Sequence, residues 1–276
     1  MTLRLLVVAS ETPTQRAQRR RHAGASSDET YKETLLSLRP DASVETISCV
    51  DTALDPPGFD IEGFDGVFFA GSPIDMQNDG LEARSAANFM SNVYQVGVPA
   101  FGSCAGLQIA AVAAGGRSEP RLPHMKAGFV RGITATDAGR RHPLLAGREI
   151  VWNAPAMHAQ IVAELPEGGT LLARSRHTPV EAAEIRHANG VFYGVQYHPE
   201  ISLAEIAIAL RRETDDLIAQ GLARAAGDVD EYAQMLEQLA EAPERDDLAW
   251  RLGLDDDVIV PAMRLIEIRN FLSFLT

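Results

Sequence analysis

Val98-Pro-Ala-Phe-Gly-Ser-Cys-Ala-Gly-Leu-Gln108 joins an apolar run to a helical one through a turn almost bare of side chains. The apolar run ends in Phe101. Gly102, Ser103, Cys104, Ala105 and Gly106 follow, and Leu107-Gln-Ile-Ala-Ala-Val-Ala-Ala114 reads as a helix. Strand, sharp turn and helix, with a nucleophilic side chain at the centre of Gly-x-Cys-x-Gly, is the pattern of a nucleophile elbow. So tight a turn strains the central residue and leaves its neighbours little room for side chains. In return, a thiol is presented at the start of a helix, where free N–H groups and the helix dipole favour the thiolate. Taken alone, the pattern fits equally a buried cysteine in a glycine-rich turn.

A second motif separates these readings. Val191-Phe-Tyr-Gly-Val-Gln-Tyr-His-Pro-Glu200 is another strand, and it delivers His198 and Glu200 at its end. A cysteine nucleophile needs a base to hold its proton, and the base needs an orienting carboxylate. Such partners usually lie far from the cysteine in sequence. Pro199 fixes the chain between them. Gly-Ser-Cys-Ala-Gly-Leu-Gln with Gly-Val-Gln-Tyr-His-Pro-Glu resembles the class I (triad) glutamine amidotransferases, which include the amidotransferase domain of GMP synthetase and the gamma-glutamyl hydrolases. The resemblance covers about residues 1–205.

The resemblance implies a catalytic set of Cys104, His198 and Glu200. It also implies that the loop after the third strand gives a backbone N–H to an oxyanion hole. Gly71 or Ser72 would then act with the N–H of Ala105. The tetrahedral intermediate carries a full negative charge, and each preorganised donor is worth about 3–4 kcal/mol. Gln108 matches the family's Cys-x-Gly-x-Gln glutamine, which touches substrate; it fits equally a polar residue on a helix surface. Family members carry Ser-His-Gly-Asp before a Leu-Pro turn, where the backbone helps to bind the glutamyl head. The matching residues here are Met157, His158, Ala159 and Gln160. The histidine is kept, but the glycine has become alanine and the acid glutamine, so the identity of the amide is open. His158, Ala159 and Ser72 stand as substrate-binding candidates. His158 lacks the strand-end place and nearby carboxylate that mark His198 as the base.

The 276 residues are 46% hydrophobic, enough for one large domain or a domain with an appendage. The two cysteines, Cys49 and Cys104, with no signal sequence point to a reducing cytoplasm and no disulfide framework. Cys49 sits in an apolar stretch and reads as packing. Nothing has the length of a membrane span, and a net charge of −13 speaks against nucleic acid or an anionic membrane as partner. No Cys/His spacing suits zinc, and no Walker loop or dinucleotide fingerprint is present, so no metal and no cofactor are expected.

Leu3–Ala9 is a short apolar run, a strand buried on both faces. Ser10–Ser27 reads as a long polar connection bearing Arg16, Arg19, Arg20, Arg21 and His22. These arginines either meet a substrate carboxylate or partner, or form a solvated basic loop. A helix begins at Ser27 and stops at Arg39-Pro40. Val44–Val50 and Phe64–Ala70 are strands, separated by a loop, Asp51–Gly63, containing Pro56-Pro57-Gly58. Leu81–Gln95 is a helix. Alternating strands and helices predict an α/β fold of three layers, a mainly parallel central sheet with helices on both faces, flavodoxin-like as in class I amidotransferases. Met125–Ala135 and Glu149–Asn153 are strands of a less regular region. Thr170–Ser175 and Glu181–Arg186 pair beside the His198 strand, with Ala188-Asn189-Gly190 as the turn. Ser202–Gly221, Asp228–Ala242 and Pro261–Leu275 are helices. The expected division is an amidotransferase-like domain, 1–220, and a helical C-terminal extension, 221–276, which the motifs do not explain. Asp246, Asp247, Asp255, Asp256 and Asp257 read as solvated charge, since no Ca²⁺-loop spacing is present.

The reaction expected is hydrolysis of the side-chain amide of glutamine or a gamma-glutamyl amide through a glutamyl thioester. A stand-alone hydrolase is favoured by the altered 157–160 segment and the arginine cluster. The alternatives are a glutaminase subunit delivering ammonia to a separate synthetase, with the acidic tail as docking surface, and a non-catalytic relative.

Overall fold

The computed structural model describes residues 2–51 and 59–275. The first half of the chain runs β1 (Arg4–Ala9), α1 (Pro13–Ala23), α2 (Ser27–Leu38), β2 (Ser43–Ser48), β3 (Gly66–Phe69), α3 (Leu81–Val96), β4 (Ala100–Ser103), α4 (Ala105–Ala113) and β5 (Arg117–Pro120). Then come β6 (Phe129–Ala135), β7 (Val151–Pro155), β8 (Gln160–Glu164), β9 (Gly169–Ser175), β10 (Thr178–His187) and β11 (Gly190–Val195). Seven helices follow among the described residues: α5 (Leu203–Arg212), α6 (Thr214–Ala219), α7 (Ala226–Glu241), α8 (Asp246–Leu252), the short pair α9 (Asp256–Ile259) and α10 (Pro261–Arg264), and α11 (Ile266–Phe274).

Nine strands form one sheet in the order β2-β1-β3-β4-β11-β10-β9-β6-β7. The first five are parallel. Beyond β11 every pairing is antiparallel. In β1 the two-residue period of a strand divides one apolar run between two cores. Leu5 and Val7 face Tyr31, Leu35, Phe101 and Phe271, under α2 and α11. Leu6 and Val8 face Met90, Val93, Leu107 and Ala111, under α3 and α4. This is the expected three-layer α/β arrangement. A third cluster joins α5, α7, α8 and α9 through Ile206, Leu236, Leu252 and Val258. The last helix returns to the sheet, where the Phe271 ring centroid is 5.2 Å from that of Phe68 and 5.6 Å from that of Phe101.

The structure corrects several expectations. Ser10–Ser27 is not an open connection, because it contains α1. That helix is set by its ends: Thr12 and Gln15 form a capping box, Pro13 opens the first turn, and Gly24 closes it at φ 80°. It buries no residue, so no apolar period marks it. Ser202–Gly221 breaks at Glu213 into α5 and α6, and Pro261–Leu275 breaks at Leu265 into α10 and α11. The strand expected from Met125 begins at Phe129. The pair β5 and β8 forms a small separate sheet, unforeseen because both strands are short and β5, Arg-Ser-Glu-Pro, has no apolar alternation. Most of the expected Asp51–Gly63 loop, including Pro56-Pro57-Gly58, lies outside the described residues.

Strand order places the site. β4 lies between β3 and β11, and Ser103 pairs in register with Val195. The residues that follow these three parallel strands therefore emerge side by side at one edge of the sheet, where open α/β sheets bind ligands.

Candidate active site

Cys104 has φ 52° and ψ −104° between the end of β4 and the start of α4. This left-handed backbone is uncommon outside glycine and is held by the surroundings. Its N–H donates to the carbonyl of Val195 at 2.8 Å, which ties the elbow to β11. Gly106 lets α4 close against β3: a Cβ there would lie 2.8 Å from Phe69 Cβ and 2.9 Å from Phe69 O.

His198 and Glu200 follow β11. His198 Nδ1 and Glu200 Oε1 are 2.7 Å apart, and both side chains are buried. The other face of the ring's reach is the Cys104 side chain, which interacts with it by charge and by hydrogen bond. Burial by itself would lower the His198 pKa. The Glu200 carboxylate and the Cys104 sulfur outweigh burial and raise it to about 10, so the ring is an imidazolium at neutral pH. Glu200 Oε2 accepts from Ser103 Oγ at 2.9 Å, and that hydroxyl pairs with the buried Tyr31 OH at 3.1 Å. Both carboxylate oxygens are thus fixed. The Cys104, His198 and Glu200 side chains lie together where β4 and β11 end.

Gly71 follows β3 and supports the ring from below. A Cβ on Gly71 would lie 2.6 Å from His198 Cε1. Ser72 Oγ accepts from Ser10 Oγ at 2.8 Å and from the Ile74 N–H at 3.3 Å, which shapes the loop after β3. Ala105 opens α4, so its N–H is among those a helix start leaves without an intrahelical acceptor.

A cleft of about 560 Å³ opens over these residues. Gly71, Ser72, Cys104, Gln108, His158, Ala159 and His198 all line it, whereas Glu200 and Ala105 lie behind its wall. Gln108 is buried and not a surface residue of its helix; its Nε2 donates to the carbonyl of Gln160 at 3.1 Å. His158 is pinned by backbone hydrogen bonds with Lys126 in both directions, and its Nδ1 lies 2.9 Å from the carbonyl of Gln160. Burial first, then the charges of His198 and Arg121, lower its pKa to about 3. It is neutral where His198 is charged, which separates the two histidines as the motifs did. Gln160 Nε2 bonds Asp75 across the cleft wall.

Two residues beside the sulfur lie within the quoted stretches, which give them no role of their own. Gln196 Nε2 lies 3.6 Å from Cys104 Sγ, and the Met157 carbonyl lies 3.9 Å from it. Strand alternation was the available signal for Gln196, two residues before His198 on the same face. Arg264, buried in the C-terminal segment, donates from Nε to the carbonyl of Pro199 at 3.2 Å, between His198 and Glu200. No sequence pattern pointed to it. Of the arginine cluster, only Arg19 lines the cleft. Among the described residues no group of three or more His, Cys, Asp or Glu side chains could hold a metal ion, and no helix is long and apolar enough to cross a membrane.

The model of the glutamine amidotransferase class-I family matches residues 8–212. A gamma-glutamyl-L-1-hydroxyisopropylamide hydrolase from a Pseudomonas species is 27% identical over 282 residues, covering 99% of this chain and 93% of that protein. A glutamine-hydrolyzing GMP synthase from Carboxydothermus hydrogenoformans is 32% identical over 146 residues, 49% of this chain but only 24% of that protein. Among solved structures, a glutamine amidotransferase from Thermotoga maritima shares the fold with a TM-score of 0.66 at 13% identity, covering 100% of this chain and 98% of that one. One from Methylobacillus flagellatus gives 0.64 at 17% identity, covering 99% and 95%.

Proposed function

The chain belongs to the class I glutamine amidotransferase family, and from that premise we propose that it is a stand-alone hydrolase of gamma-glutamyl amides. The observation that carries the reading is the row Cys104, His198, Glu200, its first two members lining a cleft large enough for more than glutamine and the third behind them. The hydrolase from Pseudomonas aligns over nearly its whole length and supports a gamma-glutamyl amide as the substrate class.

In this reading Cys104 attacks the side-chain amide carbon, its proton resting on His198. The N–H groups of Gly71 and Ala105 receive the oxyanion. His198 passes its proton to the leaving amine, and the C–N bond breaks to leave a glutamyl thioester. Water gives a proton to His198, attacks the thioester, and releases glutamate and the Cys104 sulfur. Glu200 fixes the ring's orientation throughout. Ser72, Gln108, His158 and Ala159 hold the substrate.

The similarity to part of a GMP synthase favours a second reading, a glutaminase subunit that delivers ammonia to another protein. One assay separates them. The purified protein is given glutamine and a panel of gamma-glutamyl alkylamides, and glutamate release is measured. The hydrolase reading expects turnover of the alkylamides without a partner, and its loss in Cys104→Ala with the fold intact. Turnover of glutamine alone, and only with a second protein, supports the subunit. No acyl-enzyme on any substrate leaves a non-catalytic relative.

A further inference from the structure

The arginines of α1 are not equivalent. Arg16 donates to Asp51 Oδ2 at 2.5 Å and to the carbonyl of Glu11 at 2.6 Å. Arg20 Nε reaches both oxygens of Glu29 at 2.9 and 3.0 Å. Arg21 lies exposed along its own helix, donating to the carbonyl of Ala17 at 3.3 Å. These three fasten the helix or meet water. Arg19 lines the cleft that holds Cys104, and its side chain is 17% exposed. Its Nη1 is 3.9 Å from Glu11 Oε1, near enough for charge attraction and too far for a hydrogen bond. The other oxygen of Glu11 accepts from the Ser27 N–H at 3.1 Å. Arg19 Nε is shut off from water and has no hydrogen-bond partner. A guanidinium presents a planar fork of donors that matches a carboxylate, and this one lacks its acceptor.

Its place in the cleft is set by the helix. α1 starts just past the end of β1, and Arg19 is six residues beyond Pro13, or about 9 Å along the axis. The facing wall is the end of α5, where Arg212 and Glu213 pair with each other at 2.8 Å. Met157, Ile201 and Ile208 make the cleft's lining apolar in part. A ligand reaching Arg19 from Cys104 crosses that lining and meets a cation.

We propose that Arg19 binds a carboxylate of the substrate and so determines which gamma-glutamyl amides are accepted. This rests on the hydrolase reading. Two carboxylates satisfy the chemistry: the α-carboxylate of the glutamyl half, or one carried by the amine.

Binding to the Cys104→Ala protein, measured by calorimetry, distinguishes them without turnover. The probes are gamma-glutamyl-propylamine, anionic only on the glutamyl half, and gamma-glutamyl-β-alanine, anionic at both ends. Adding Arg19→Gln weakens gamma-glutamyl-β-alanine about 10- to 100-fold, as loss of a charge-assisted pair requires. If propylamine binding is unchanged, the carboxylate is on the amine; an equal loss for both assigns the glutamyl half. Arg19→Lys, which keeps the charge but not the fork, loses less than Arg19→Gln, and Arg21→Gln loses nothing. Equal affinities with and without Arg19, or no binding of either probe to the Cys104→Ala protein, overturns the proposal. A wild-type protein that binds both probes through Arg19 but hydrolyses neither removes the hydrolase reading and leaves the anion site.

Discussion

Gly71→Ala isolates the placement of His198 from every other part of the site. Gly71 is not in the left-handed region, so its missing side chain is a matter of space and not of conformation. A Cβ would lie 2.6 Å from His198 Cε1, 3.3 Å from Nδ1 and 3.6 Å from Nε2. Ordinary contact begins at 3.4 Å, so the ring must retreat by about 0.8 Å. It cannot do so freely. Nδ1 is held by Glu200 at 2.7 Å, and the residue's own N–H is held by the carbonyl of Pro155 at 2.8 Å. A misplacement of about 1 Å in a catalytic constellation costs about 100-fold in rate. The alanine retains the backbone N–H, so the proposed oxyanion donor survives the change. Stability moves little, because a tolerated Gly→Ala gains about 0.4–1 kcal/mol through the unfolded chain, against the strain of the shifted ring. The assay is kcat/KM for gamma-glutamyl amide hydrolysis, beside a thermal melt. The expected outcome is a loss of about 100-fold with a melting temperature within a few degrees of wild type. A folded Gly71→Ala protein with wild-type kcat would show that the ring's seat on Gly71 does not matter, and the geometry argued above would fail.

Three other substitutions test the supports behind the site. Ser103→Ala removes the shared partner of Glu200 Oε2 and Tyr31 OH in a buried place, and urea unfolding should report a loss of about 1–3 kcal/mol; an unchanged midpoint would mean that water replaces the hydroxyl. Glu267→Ala takes from the buried Arg148 the carboxylate that it meets by hydrogen bonds of 2.7 and 2.8 Å, leaving it one bond of 3.0 Å to the Arg264 carbonyl, and should cost about 3–5 kcal/mol; a loss below about 1 kcal/mol would show that the cation finds water or another acceptor. Glu181 tests pH. Burial, only partly offset by the Ser175 hydroxyl and Lys126, raises its pKa to about 7. The folded state therefore holds the proton more tightly than the unfolded one, and the stability this provides is complete below pH 4.5 and lost as pH rises through about 7. Glu181→Gln should be more stable than wild type at pH 8.5 and lose that advantage at pH 4; the same difference at both pH values refutes the assignment.

The two motifs were legible because each is local and each has its own physical reason. The elbow needs small neighbours, and His-Pro-Glu at a strand end needs no partner to be recognised. That β4 and β11 are adjacent was implied by the chemistry before the topology gave it. What stayed hidden was non-local or non-periodic. α1 buries nothing, so hydrophobic spacing missed it, although Thr12, Pro13, Gln15 and Gly24 together spell its ends. Ser103 and Tyr31 support Glu200 from positions that neither motif marks as polar partners. Arg264 and Glu267 sit in a segment with no motif at all.

That last segment changes how the His198 strand is understood. Alternation along Gln196, Tyr197, His198 sends the outer two side chains to the sulfur and the middle one to the opposite core. There the Tyr197 OH donates to Glu267 Oε1 at 2.7 Å, and the same carboxylate takes the Arg148 fork. One step further, Arg264 holds the Pro199 carbonyl. The backbone that presents the imidazole is therefore gripped from behind by residues some seventy positions later, on α10 and α11. A base must keep its orientation within a fraction of an ångström to work. Backbone hydrogen bonds of 2.8 Å from the Gln196 and His198 N–H groups to the Glu181 and Pro155 carbonyls hold one side of the strand end, and the C-terminal helices hold the other through two buried side chains.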